Sequence, residues 1–195
     1  METIQDLPVF ELVLNSEDQG LSFISLVTNP AIERNFFAFS DDVKFSKDPE
    51  RMILTGALLI PDKLIYREDP ELGAYYVKLS KETIFDLNLQ WMRDGLTDQI
   101  NKHHRDLVKD AFMFETWIAD KSRGINHPKG FEDLPDGTWY GSVKITDPKI
   151  WNEEVMTGNW RGFSIEGKLD QILVSMEKHQ ISEEEQIISL INQLL

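Results

Sequence analysis

No cysteine occurs in the 195-residue chain. That absence removes a disulfide framework, a thiolate zinc site and a cysteine nucleophile together. Histidine is scarce, with only His103, His104, His127 and His179. No HExxH or comparable ligand spacing connects them, and no metal or other cofactor is expected. No Walker loop and no GxGxxG follows a strand pattern, so nucleotide binding has no support. Long apolar runs are missing too. The longest, 52–60, is broken by Thr55 and Gly56 and is far below spanning length, so no membrane helix is expected. The opening METIQDLP has neither a basic start nor an apolar core, so no signal peptide is expected. Positive charge is in deficit: 20 Lys and Arg against 34 Asp and Glu leave −14. A field of that sign repels phosphate, which argues against nucleic acid as a partner. An acidic, soluble, intracellular chain is the expectation that remains.

What is present is globular in composition, with 41% hydrophobic and 28% charged residues. The length suits one domain with a real core. Residues 8–14 alternate as a strand, and 22–27 form a second strand ending at the turn Asn29-Pro30. Further strands are expected over 52–60, 75–79, 111–119, 138–145 and 161–169, with a short polar one over 100–104. Segments 36–50 and 121–137 read as loops. Ser80 is placed to cap a helix over 81–94, with Ile84, Leu87 and Trp91 on one face and Gly95 beyond its end. Asp147-Pro148 opens a short helix to about position 156. Ser182-Glu183-Glu184-Glu185 is a capping box before the stripe Ile187, Ile188, Ile191 and Leu194. The fold expected is mainly β with α decorations (α+β), as an antiparallel sheet or barrel. One domain covers 1–178, and 181–195 form a C-terminal amphipathic helix or tail.

The segment Arg161-Gly162-Phe163-Ser164-Ile165-Glu166-Gly167 holds the most chemistry. On a strand, Ser164, Glu166 and Lys168 share the face opposite Phe163 and Ile165. Glycines at 162 and 167 then leave room for a substrate backbone beside a hydroxyl. An amphipathic strand with a solvated serine has the same pattern. It is not a GxSxG elbow, because the second glycine comes one residue late and no helix pattern follows. A serine needs an imidazole to take its proton, and His104 is the candidate, with His103 the alternative. Adjacent strand residues point to opposite faces, so the two cannot serve together. Glu115 falls on the face of Met113 and Trp117, where a carboxylate needs a partner. It is placed either to orient the histidine or to reach water from a strand edge.

The motif Gly162-Phe163-Ser164-Ile165-Glu166-Gly167 resembles the nucleophile strand of the tailed-phage prohead serine proteases, the XkdF-like group among them. These are distantly similar to the herpesvirus assembly protease. Segments in the same order extend the likeness. They are Ser25 through Ile32, Leu54-Thr55-Gly56-Ala57 through Asp62, Ile65-Tyr66-Arg67, His103-His104, Glu115-Thr116-Trp117-Ile118, and Gly137-Thr138-Trp139 through Lys144. The resemblance implies a closed antiparallel β-barrel serine endopeptidase. Ser164 would be nucleophile and His104 base, with Glu115 or Glu166 as third member. Arg105 follows His104 where the family often has an acidic residue, which keeps His103 open as the base. It also implies phage scaffold and major capsid protein as substrates, cleaved inside the procapsid in the host bacterial cytoplasm, and a possible homo-oligomer. A catalytically inactive capsid-assembly or scaffold component would carry nearly the same motifs. A β-barrel binding module is a third reading, and it predicts a deep apolar pocket.

Overall fold

The computed structural model describes residues 4–16, 18–28, 37–38, 46–69 and 72–180. The stripe expected over 181–195 and the turn at Asn29-Pro30 lie outside them. In chain order the strands are β1 (Ile4–Val13), β2 (Gly20–Val27), β3 (Phe37–Ala38), β4 (Ser46–Asp48), β5 (Ile53–Leu59), β6 (Ile65–Asp69) and β7 (Gly73–Lys78). After helix α1 (Lys81–Arg93) come β8 (Ile100–Lys102), β9 (Asp106–Leu107), β10 (Ala111–Ile118) and β11 (Trp139–Ile145). Helix α2 (Pro148–Ile150) runs into a π-helical turn (Trp151–Val155), and β12 (Gly162–Lys168) and β13 (Asp170–Gln180) close the order.

The expected closed antiparallel barrel does not form. The strands make three open sheets, ordered β13-β1-β7-β6, β10-β11-β5-β4 and β3-β12-β2-β8-β9. Each ends in two edges, and β1–β7 and β2–β8 pair in parallel. The edge strands β3, β4 and β9 are two or three residues long, too short to carry a ladder from one sheet into the next. Bulges at Val9/Phe10, Met113/Glu115, Trp139/Tyr140 and Glu166/Gly167 bend the longer strands further. The architecture is therefore mixed α+β with open sheets. Among the described residues no helix is long and apolar enough to cross a membrane.

α1 forms where the sequence places it. Ser80 Oγ accepts a hydrogen bond from the Thr83 amide at 3.2 Å, and Gly95 takes the left-handed φ of 67° just past the C-cap. Ile84, Leu87 and Trp91 are buried, and the helix packs on β2 and β11. Each such side chain removed from water contributes about 1.5–3 kcal/mol. Trp91→Ala would remove the largest of the three.

Two segments depart from expectation. Positions 46–48 pair with β5 as β4, within a stretch that read as loop. β13, unanticipated as a strand, runs antiparallel to β1 along its whole length. The long loop 121–137 is anchored over Tyr140: His127 Nδ1 lies 2.8 Å from its hydroxyl, and Phe131 packs edge-on against the ring. Burial raises the Tyr140 phenol well above its usual value.

Candidate active site

The site is built on the face of the sheet that contains β12. Phe163 and Ile165 are buried on one side of that strand, and alternation turns Ser164 and Glu166 to the other. Ser164 lies between Ala38 of β3 and Ser25 of β2 in the ladders. Ser25 in turn is registered with Asn101 of the parallel strand β8. Cross-strand partners share a face, so Ser164, Ser25 and Asn101 form one polar row across three strands.

β8 leads into the turn holding both central histidines. They are not on a strand, as expected, but in left-handed backbone, with φ of 47° for His103 and 56° for His104. Such conformations cost of order 1–3 kcal/mol for a residue with a Cβ and persist where surrounding contacts fix them. The His103 amide donates to the Leu26 carbonyl at 3.2 Å, and the Arg105 amide to the Lys102 carbonyl at 3.1 Å. That geometry swings His104 back over the polar row.

His104 Nδ1 is 2.7 Å from Glu166 Oε1 and 2.8 Å from Ser25 Oγ. Ser25 Oγ is also 2.8 Å from Glu166 Oε1 and hydrogen-bonded to Asn101 Oδ1. Asn101 Nδ2 donates to the same carboxylate oxygen at 2.6 Å. Glu166 Oε1 is thus the hub of the cluster. The side chain of His104 is 4% exposed and that of Glu166 16%, while Ser25 and Ser164 are fully buried. Desolvated hydrogen bonds to a carboxylate hold it more firmly than in water. With Nδ1 committed to Glu166, proton transfer to or from a nucleophile falls to Nε2.

Of the residues expected from sequence, the structure gathers Ser164, His104 and Glu166 on one face. His103 makes no side-chain hydrogen bond among the described residues. Glu115 is a correction. A bulge between Met113 and Glu115 breaks the alternation that put it beside Met113 and Trp117, and it emerges exposed on β10, in a different sheet. It bonds neither histidine. Gly167 is a second correction. A Cβ there would fall on the Gly20 carbonyl oxygen, so this glycine serves close packing of β12 on β2 rather than access for a substrate. Sequence reasoning missed Ser25 and Asn101. The signal for Ser25 was a small hydroxyl between Ile24 and Leu26 in a strand buried on both faces. Asn101 had no signal before its register with Ser25 was known.

No protein-family model, no curated protein and no solved structure matches the chain.

Proposed function

We propose that the chain is a serine endopeptidase, with Ser164 as nucleophile, His104 as base and Glu166 as the orienting carboxylate. The observation that carries this reading is the 2.7 Å contact between His104 Nδ1 and Glu166 Oε1 on the face that bears Ser164. A carboxylate on Nδ1 fixes the tautomer that leaves Nε2 basic, and it stabilises the imidazolium formed as Ser164 attacks a peptide carbonyl. His104 then returns the proton to the leaving amine. The resemblance of the 162–167 motif to prohead proteases supplies the biological setting: cleavage of scaffold and of the capsid protein's delta domain inside the procapsid, in the bacterial cytoplasm.

A second reading has its own support. Ser164 is fully buried, and a buried, hydrogen-bonded polar cluster also suits an inactive capsid-assembly component of the same sequence pattern. A fluorophosphonate probe separates the two. Mass spectrometry of the labelled, folded protein is expected to find the adduct on Ser164, and Ser164→Ala is expected to lose both labelling and scaffold cleavage, by several orders of magnitude in rate. Absence of any adduct on folded wild type would establish the inactive reading. An adduct on Ser25 would move the nucleophile to β2.

A further inference from the structure

Ser25 stands at the middle of the polar row, with Ser164 opposite it on β12 and Asn101 opposite it on β8. It is fully buried, so its hydroxyl must find its partners inside the protein. A hydroxyl has one hydrogen to give and two lone pairs with which to accept. Ser25 Oγ meets three polar atoms: Asn101 Oδ1, Glu166 Oε1 at 2.8 Å and His104 Nδ1 at 2.8 Å. The 2.6 Å contact between Asn101 and the carboxylate fixes that end of the amide as nitrogen, so the end against Ser25 is the carbonyl oxygen. Glu166 Oε1 already takes a hydrogen from Asn101 Nδ2 and has His104 Nδ1 at 2.7 Å. Asn101 is 4% exposed, and a buried carbonyl oxygen left without a donor is costly. The single Ser25 hydrogen therefore belongs to Asn101 Oδ1.

We propose that Ser25 is a positioning residue for His104. With its hydrogen on Asn101, Oγ turns lone pairs toward the imidazole, and the Nδ1–H is shared between Ser25 Oγ and Glu166 Oε1 in a three-centre hydrogen bond. The other tautomer, with its hydrogen on Nε2, sets three lone-pair atoms against one another. Oγ, Oε1 and Nδ1 would then lie within 2.8 Å of each other with no hydrogen between them. Two acceptors, one on β2 and one on β12, thus hold the ring in the tautomer that leaves Nε2 basic. They also fix its plane, which one carboxylate contact leaves free to rock. His104 needs such support, because its left-handed φ of 56° persists only where surrounding contacts fix it. A hydroxyl that merely filled the core would be satisfied by Asn101 alone and would leave the imidazole indifferent to its removal. The effect of Ser25 on catalysis rests on the serine-peptidase reading above; its hold on the tautomer does not.

Nitrogen-15 NMR of the full chain tests this, since the two imidazole nitrogens report directly which of them carries the hydrogen. At about pH 8, above the ordinary imidazole range, His104 of the wild type is expected to carry it on Nδ1. Ser25→Ala is expected to release the lock and show about 10% or more of the Nε2–H tautomer. Ser25→Cys, close to serine in volume and a weak acceptor, is expected to do the same and serves where the alanine variant does not fold. Ser25→Thr keeps the hydroxyl and is expected to keep the single tautomer. Fluorophosphonate labelling of Ser164 reads the consequence for reaction: Ser25→Ala and Ser25→Cys should label about tenfold more slowly than wild type. Three results overturn the proposal. One is a wild-type His104 with its hydrogen on Nε2. Another is a wild-type tautomer unchanged in the folded alanine or cysteine variant, which would mean that Glu166 alone sets it. The third is a labelling rate equal in wild type and Ser25→Ala. A tautomer released in the variants, with no labelling of the wild type, upholds the hold of Ser25 on His104 and overturns the peptidase reading instead.

Discussion

Asn101 ties the cluster together from both ends of one amide, giving a hydrogen bond to Glu166 and taking one from Ser25. It is 4% exposed, so neither partner readily replaces the lost contact with water. Asn101→Asp tests this. The variant keeps the oxygen that accepts from Ser25 and puts a second carboxylate at hydrogen-bonding distance from Glu166. Two carboxylates so close cannot both ionise. The folded variant therefore holds a proton at pH values where the unfolded chain has released it, and stability falls as pH rises. Thermal unfolding of Asn101→Asp against wild type should show a deficit of about 2–3 kcal/mol at pH 8 that shrinks markedly by pH 5. A deficit independent of pH would mean that Asn101 does not face Glu166. By the same logic Glu166→Gln should cut any peptidase rate heavily while sparing the Ser164 hydroxyl.

At the scale of elements, the join between β12 and β2 sets where Glu166 points. The register slips between Glu166 and Gly167, and the Gly167 backbone passes against Gly20. Gly167→Ala would drive a Cβ into the Gly20 carbonyl, which is backbone and cannot turn aside. A cost of about 1–3 kcal/mol or more is expected, with loss of any activity that depends on Glu166. Gly141→Ala is the milder control, since its Cβ would meet the ends of Met113 and Leu58 at 2.9 and 3.0 Å, where side chains can shift. Equal melting temperatures for Gly167→Ala and wild type would show that the two backbones are not in contact. How far the elements were legible follows from the range of the forces that make them. α1 was readable because Ser80, Ile84, Leu87, Trp91 and Gly95 each act within a turn or two. β12 was readable from its alternation, and with it the shared face of Ser164 and Glu166. Glu115 was misplaced because a bulge is a property of two strands, not of one. Ser25 and Asn101 became site residues only through a parallel pairing 76 positions apart. β13 was missed because its apolar run has no core to alternate against; its four large side chains are exposed.

For the molecule as a whole, the excess of 34 acidic over 20 basic residues is poorly compensated. The ion pairs Arg51–Asp48, Lys78–Asp62, Arg93–Asp94, Arg123–Asp120 and Lys168–Asp18 lie at the surface. Exposed pairs contribute about 0–1 kcal/mol each, and salt weakens them. Mutual repulsion among the unpaired carboxylates opposes them and is screened by the same salt. The unfolded chain spreads those charges apart, so repulsion weighs more on the folded state. With fourteen net negative charges, relief of repulsion should exceed the loss of a few surface pairs. Raising sodium chloride from about 10 to 150 mM shortens the screening length from about 30 to 8 Å. A gain of about 1 kcal/mol is expected, or about 2–4 °C in Tm for a chain of this size. The site cluster is buried and should respond little, so labelling of Ser164, if it occurs, should change less with salt than Tm does. Chloride is the salt to use, because sulfate strengthens apolar burial by exclusion and would raise Tm for another reason. A Tm that stays flat or falls over this range would mean that the surface pairs outweigh the repulsion, and that the acidic excess is arranged far enough apart to cost the fold nothing.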